Sequence, residues 1–334
     1  MTIQEIERTC DQAQPLEFSR HELQTEELLL QKTFFPFGFP VEVKTNSENV
    51  LGILEEVWGY FTPQYETKPV CSEIHVVEAG DDECPVAPLY RIMPPYLMSV
   101  ADGNNYSIVD FERGTASVSI SDAALRRKAY ASYFLLSAPV SCIATRYATP
   151  VHAACVALDG HGVLLCGDSG AGKSTLSYAC ARKGWTYVSD DASFLVNGES
   201  SRMVAGNCHQ VRFRPEAVQF FPEIEGLELT PRAAGKPSVE MLTNRMPNLI
   251  CEQTAKIDYI VFLNRRGNSE PQLMPYRKDV ARYFMRQVLF GLPETMAVQY
   301  QAIEKLLTAE VLELRYRNLD WAIERLRVLV QEGH

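Results

Sequence analysis

The run Gly167-Asp168-Ser169-Gly170-Ala171-Gly172-Lys173-Ser174 constrains this chain more than any other stretch, because it satisfies the phosphate-loop pattern G-x-x-x-x-G-K-[ST]. Such a loop works only between a buried strand and a helix. Val163-Leu164-Leu165-Cys166 before it is continuously apolar, as a buried strand is. Thr175 to Arg182 after it reads as a helix with Leu176, Ala179 and Cys180 on one face. Glycines let successive N–H groups turn inward, and the helix N-terminus adds a partial positive charge. In that setting Gly167 through Thr175 cradle a triphosphate, Lys173 reaches its β- and γ-phosphates, and the Ser174 hydroxyl sits on Mg²⁺. The chain is expected to bind a nucleoside triphosphate, ATP in the first instance.

What happens to the γ-phosphate depends on the next landmark. Trp185 to Ser189 reads as a strand, and it ends in Asp190-Asp191 only seventeen positions after Lys173. Two adjacent carboxylates at a strand end can divide the work. One holds a metal, directly or through water, while the other accepts a proton from an attacking hydroxyl. A solvated turn is the bland alternative.

With 334 residues the chain has room for two domains around this motif. A net charge of −10 argues against a nucleic-acid or anionic-membrane surface. Nine cysteines contain no C-x-x-C pair, so neither a zinc site nor a disulfide framework is expected. The N-terminus lacks a basic and apolar leader pattern. The longest apolar stretch, Tyr133 to Ala144, is too short to span a bilayer and contains Pro139. A cytoplasmic location follows as the expectation, with no membrane partner.

Residues 1–148 read as an N-terminal α+β lobe. A polar, partly helical leader runs to about Gln31, followed by a strand at Val41 to Thr45 and a helix that Ser47 caps and that reaches Trp58. Ile74 to Val77 is a strand, Gly80 to Cys84 an exposed acidic loop, and Tyr96 to Ile120 a three-strand meander. A helix is expected from Asp122 to about Leu136. Residues 149–334 form the second domain. Val151 to Leu158 reads as one strand that His152 starts, and Asp159 to Gly162 as a turn. The alternation from Gly206 to Pro215 puts Arg212 and Arg214 on one strand face, either aimed at a phosphate or substrate carboxylate, or forming an edge-strand charge pair. Lys236, on the loop Ala233 to Glu240, either closes over the transferred group or lies in a plain linker. The strand Ile257 to Leu263 ends in Asn264-Arg265-Arg266-Gly267, whose arginines face the cleft or sit in a solvated turn. Helical patterns dominate from Lys278 onward.

From His152 to Asp191 the sequence resembles HPr kinase/phosphorylase, the bacterial serine kinase related in fold to phosphoenolpyruvate carboxykinase. The resemblance rests on His152, Gly160-His161-Gly162, the loop from Gly167 to Ser174, Arg182-Lys183-Gly184 and Asp190-Asp191, at the family's spacings. It implies an α/β fold, a P-loop kinase core of HPr kinase/phosphoenolpyruvate carboxykinase type, here with the N-terminal α+β lobe. It also implies that Asp190 is the catalytic aspartate, that Asp191 and Ser174 are Mg²⁺ ligands, and that His152 is the active-site histidine. Family members are often oligomers, so self-association is implied as well. Three departures stand out. Thr175 replaces the glutamate that usually follows the loop serine, the family's later glycine-rich signature has no counterpart, and the N-terminal half does not match.

The sequence therefore points to an ATP- and Mg²⁺-dependent kinase acting on a hydroxyl, with a serine of a protein or peptide as the favoured acceptor. Lys173 with one or more of Arg212, Arg214, Lys236 and Arg265 would neutralise the transferring group. A metabolite kinase of the same fold and a non-catalytic nucleotide-binding regulator are the alternatives. The transporter-type ATPase signatures are missing.

Overall fold

The computed structural model describes residues 27–78, 87–198, 202–230, 237–246, 248–265 and 270–333. It separates into two compact units, one within Met1–Arg146 and the other comprising Tyr147–Thr230 and Pro237–His334. Both mix strands and helices.

The first unit contains β1 (Leu30–Phe34), β2 (Val41–Thr45), α1 (Glu48–Trp58), β3 (Val70–Val77), β4 (Leu89–Met93), β5 (Tyr96–Val100), β6 (Tyr106–Asp110), β7 (Thr115–Ser121), α2 (Asp122–Leu125) and α3 (Lys128–Arg146). Among the described residues its seven strands follow the order β1-β2-β3-β7-β6-β5-β4. Strict alternation buries Val41, Val43 and Thr45 of β2, and the helical spacing of Val50, Leu54 and Trp58 buries one face of α1. The helix expected from Asp122 to Leu136 is instead two. The Ser121 hydroxyl accepts from the Ala124 N–H at 3.1 Å and caps a single turn. The chain then bends at Arg126-Arg127 and α3 runs on to Arg146, past Pro139. Burial of Phe134, Leu135, Ala138, Cys142 and Ile143 along one side outweighs the hydrogen bond that Pro139 cannot donate. The acidic loop around Gly80 to Cys84 and the leader before residue 27 lie outside the described residues.

The second unit holds β8 (Ala148–Val151), β9 (Ala153–Leu158), β10 (His161–Cys166), α4 (Lys173–Arg182), β11 (Thr186–Ser189), β12 (Ser193–Val196), β13 (Met203–Gly206), β14 (Gln210–Phe213), β15 (Leu229–Thr230), β16 (Ser238–Leu242), β17 (Ile250–Cys251), β18 (Thr254–Asn264), β19 (Gln272–Pro275), α5 (Lys278–Arg286), α6 (Pro293–Leu306), β20 (Glu310–Arg315) and α7 (Leu319–Glu332). Strand β18 pairs in parallel with β10 on one side and β20 on the other. Strand β9 is antiparallel to both β10 and β11, so β11 runs in the same direction as β10. The carboxyl ends Cys166, Ser189, Asn264 and Arg315 therefore lie along one edge of the sheet, the edge at which open α/β sheets hold ligands.

The sheet is buried on both faces, which explains why its strands read as unbroken apolar runs. Val163 and Leu165 pack with Leu176, Cys180, Leu326 and Leu329 of α4 and α7. Leu164 and Cys166 pack on the opposite side with Ala281, Met285, Ile303 and Leu306 of α5 and α6.

Four sequence expectations change here. The stretch Val151 to Leu158 is not one strand, for the chain steps at His152 from β8, which pairs with β12, to β9, which pairs with β10 and β11. Asp159 and Gly160 alone make the following turn, with φ of 50° and 83°, so β10 starts at His161. A strand, β20, lies in the region expected to be helical, and Ser238 to Glu240 belong to β16 rather than to a loop. Among the described residues no helix is long and apolar enough to cross a membrane.

Candidate functional site

The loop begins where β10 ends. Gly172 is the N-cap residue of α4 and has φ of 100°, a left-handed conformation that frees the first-turn amides of the helix to point outward. A Cβ at this position would stand 2.9 Å from the Tyr316 hydroxyl. Gly172→Ala is therefore expected to lower the unfolding free energy by about 1–3 kcal/mol, read from urea or thermal unfolding. An unchanged midpoint would mean that this turn can relax. Within the loop the Ala171 N–H donates to the Asp168 carbonyl at 3.0 Å, and the Leu176 N–H donates to Gly172 O at 2.8 Å. Asp168, Ser169 and Gly170 are exposed, while Ala171, Ser174 and Thr175 are half-buried.

Lys173 is only 6% exposed. Its Nζ donates to the Gly167 carbonyl at 2.9 Å and to His152 Nε2 at 2.9 Å, and lies 3.7 Å from Asp191 Oδ1. An ammonium can only donate, so Nε2 carries the lone pair and the imidazole proton resides on Nδ1, which faces Asp191 Oδ1 at 3.5 Å. Burial holds His152 below its ordinary pKa and Lys173 adds to this, against the opposing pull of Asp191. The step between β8 and β9 is what turns this histidine toward the loop. The Phe284 ring flanks it, with centroids 6.5 Å apart.

Asp190 follows β11 and is buried, whereas Asp191 beside it is exposed. The Arg212 backbone N–H donates to Asp190 Oδ2 at 2.7 Å, which fixes the carboxylate. Burial pushes its pKa up to about 6, against the lowering effects of the Arg212 charge and amide. Ser174 Oγ donates to the Asp190 carbonyl at 3.3 Å and so ties the helix start to the aspartate pair. Behind the pair, Ser189 and Ser193 hydroxyls lie 2.7 Å apart, and Ser193 Oγ donates to the Ala153 carbonyl at 3.0 Å.

The structure thus gathers His152, Lys173, Ser174, Asp190 and Asp191 at the sheet edge, with Arg212 at Asp190. The Arg212 side chain also has a carboxylate partner of its own, its Nε lying 3.4 Å from Glu240 Oε1 on the paired strand β16. Arg214 does not share that strand face. Strand β14 stops at Phe213, and Arg214 is an exposed cap of the following 3₁₀ turn. Lys236 and Arg266 lie outside the described residues. Arg265 sits next to the loop, its Nη1 3.4 Å from where a Gly172 Cβ would be. Sequence reasoning missed Glu240, Phe284 and Tyr316, because their proximity comes from strand register and sheet order, not from spacing. Among the described residues no group of three or more His, Cys, Asp or Glu side chains is placed to hold a metal.

Residues 144–227 match the family model described as the HPr Serine kinase C-terminal domain. Over that stretch the chain is similar to that family, in agreement with the resemblance carried by His152 to Asp191. Among solved structures, the Hpr(Ser) kinase/phosphatase from Coxiella burnetii aligns over 55% of this chain and 99% of its own, at 13% identity and a TM-score of 0.30. So loose a superposition carries no inference about this chain. No curated protein matches the sequence significantly.

Proposed function

We propose that the second unit is the catalytic domain of an ATP- and Mg²⁺-dependent kinase, built on a P-loop core, that transfers the γ-phosphate to a hydroxyl. Its favoured acceptor is a serine of a protein or peptide. The observation that carries this reading is Asp190, a buried carboxylate pinned by the Arg212 amide, pushed up to about 6 and linked through its carbonyl to the first turn of α4.

Glycine-loop amides and Lys173 bind the triphosphate in this reading, Lys173 exchanging Gly167 O and His152 Nε2 for phosphate oxygens. His152 keeps the lysine aimed while the site is empty. Ser174 Oγ and the exposed Asp191 carboxylate offer the hard oxygen donors that suit Mg²⁺, an ion that keeps several waters and phosphate oxygens in its shell. When bound, the ion supplies neutralisation of charge on the β- and γ-phosphates. Asp190 accepts the proton of the acceptor hydroxyl as its oxygen bonds to the γ-phosphorus and the bond to the ADP oxygen breaks. Ionised at neutral pH and still basic, a carboxylate near 6 suits that role better than one near 4. Arg212 adds positive charge at the same point.

The base must be deprotonated to act, so transfer should rise with pH and level off, with an apparent pKa near 6 in kcat/KM. A rate that stays flat down to pH 5 would remove Asp190 from the role of base. The same assay, run with γ-labelled ATP on serine peptides and on a metabolite mixture, separates a peptide kinase from a metabolite kinase. Self-association and a cytoplasmic location remain part of the proposal through the family likeness.

A further inference from the structure

Arg265 stands just past the carboxyl end of β18 with two aromatic rings beside it. Its guanidinium carbon lies 5.7 Å from the Tyr316 ring centroid and 5.9 Å from that of Phe220. Among the described residues it forms no ion pair with any carboxylate, unlike Arg202, Arg212, Arg282 and Arg315 in the same unit, each of which has one. An exposed arginine normally wanders. Here two aromatic faces hold the charge in place beside the N-terminus of α4. Tyr316 adds an independent sign. It is 3% exposed, and among the described residues its hydroxyl has no hydrogen-bond partner. That hydroxyl lies 2.9 Å from the point where a Gly172 Cβ would be, at the mouth of the helix. A buried, unpaired hydroxyl costs free energy unless something fills its donor position. Three donors of one kind therefore converge on Gly172: an uncompensated guanidinium, an orphaned phenol and the first-turn amides of a ten-residue helix.

We infer that Arg265 and Tyr316 form a phosphate subsite on the β18–β20 side of the loop, opposite in the chain's architecture to the aspartate pair after β11. It is a site for a phosphate oxyanion. Resting on the kinase reading, the inference takes that oxyanion to be a terminal phosphate of the bound nucleotide. Arg265 contacts the phosphate. Tyr316 lies against the guanidinium and donates its hydroxyl to the same anion. Because the phosphate chemistry is shared, free inorganic phosphate would use the same groups.

Calorimetric titration of the full chain with ATP, ADP, AMP and inorganic phosphate tests this, on the wild type, Arg265→Gln, Arg265→Lys and Tyr316→Phe. The subsite requires Arg265→Gln to lose about ten-fold or more in ATP affinity with little change for AMP, and a shallower dependence on salt. Arg265→Lys should recover only part of the loss, since a lysine keeps the charge but stacks poorly. Tyr316→Phe should weaken ATP several-fold while the melting temperature without ligand rises, because an unpaired buried hydroxyl has been removed. Equal ATP affinity in wild type and Arg265→Gln would overturn the subsite and leave the kinase reading untouched. Loss of phosphate binding in Arg265→Gln, in a wild type that binds phosphate but no nucleotide, would keep the subsite and sink the kinase reading. A wild type that binds none of the four ligands would overturn both.

Discussion

Asp190→Asn is expected to reduce phosphoryl transfer by about 10³-fold or more while nucleotide affinity stays within a few-fold of wild type. The same substitution should make the protein more stable at neutral pH. The unfolded chain ionises this carboxyl near 3.8, whereas burial raises it to about 6 in the fold. Well below pH 3.8 both states hold the proton, and the aspartate carries no penalty. As pH rises toward 6 the unfolded chain releases the proton and the folded chain retains it, so stability falls. Above 6 the full penalty, about 3 kcal/mol at roughly 1.4 kcal/mol per pKa unit, is in force. Asparagine can still accept the Arg212 amide proton and bears no charge. Denaturant unfolding at pH 7.5 should therefore show a gain approaching that figure, and the gain should shrink to about 0.5 kcal/mol at pH 4 and vanish by about pH 3. A mutant that is inactive but less stable than wild type at pH 7.5 would mean that the carboxylate is held mainly by Arg212 and is not under strain from burial.

Lys173→Met is expected to weaken ATP binding at least about thirty-fold and to abolish transfer. Removing one member of a desolvated charge pair costs about 2–5 kcal/mol. The side chain is almost wholly enclosed, so methionine fills the same slot and the packing change is small. What disappears is the ammonium that, without nucleotide, donates to Gly167 O and His152 Nε2. Those two acceptors are left unpaired, which predicts a modest loss of stability, about 1 kcal/mol. Binding and unfolding should thus respond unequally. If ATP affinity fell only as much as stability did, Lys173 would be a structural lysine that braces its own loop.

The parts of this site that the sequence made legible are those encoded by local spacing. Gly167 to Ser174 needs one strand, one turn and one helix start, all within reach of periodicity, and Asp190-Asp191 follows at the end of the next strand. His152 was visible only by family likeness, since nothing in its neighbours signals that the chain changes strand there. Strand β20 went unread because Glu310 to Arg315 carries only three apolar residues, Val311, Leu312 and Leu314, among charged ones, and lies between two helical patterns. With it went Tyr316, whose place at Gly172 depends on β20 pairing with β18. Arg212 and Arg214 illustrate the opposite error. The alternation was real for Gln210 to Phe213, but a proline at position 215 ends the strand and sends Arg214 into a turn. Glu240 then claims the Arg212 side chain through a cross-strand register that spacing could not reveal. The break of the long helix at Arg126-Arg127 was likewise hidden, because Ser121 caps a turn that reads as helix either way.

One measurement bears most directly on the whole account. The wild-type chain and Asp190→Asn should be incubated with γ-labelled ATP, Mg²⁺ and a degenerate peptide library containing serine, and phosphopeptides identified by mass spectrometry. The account requires phosphoserine from the wild type, dependent on Mg²⁺, and none above background from the mutant, although both proteins bind ATP with similar affinity. Equal labelling by the two proteins, or ATP binding by the wild type with no transfer to peptide or metabolite hydroxyls, would contradict it.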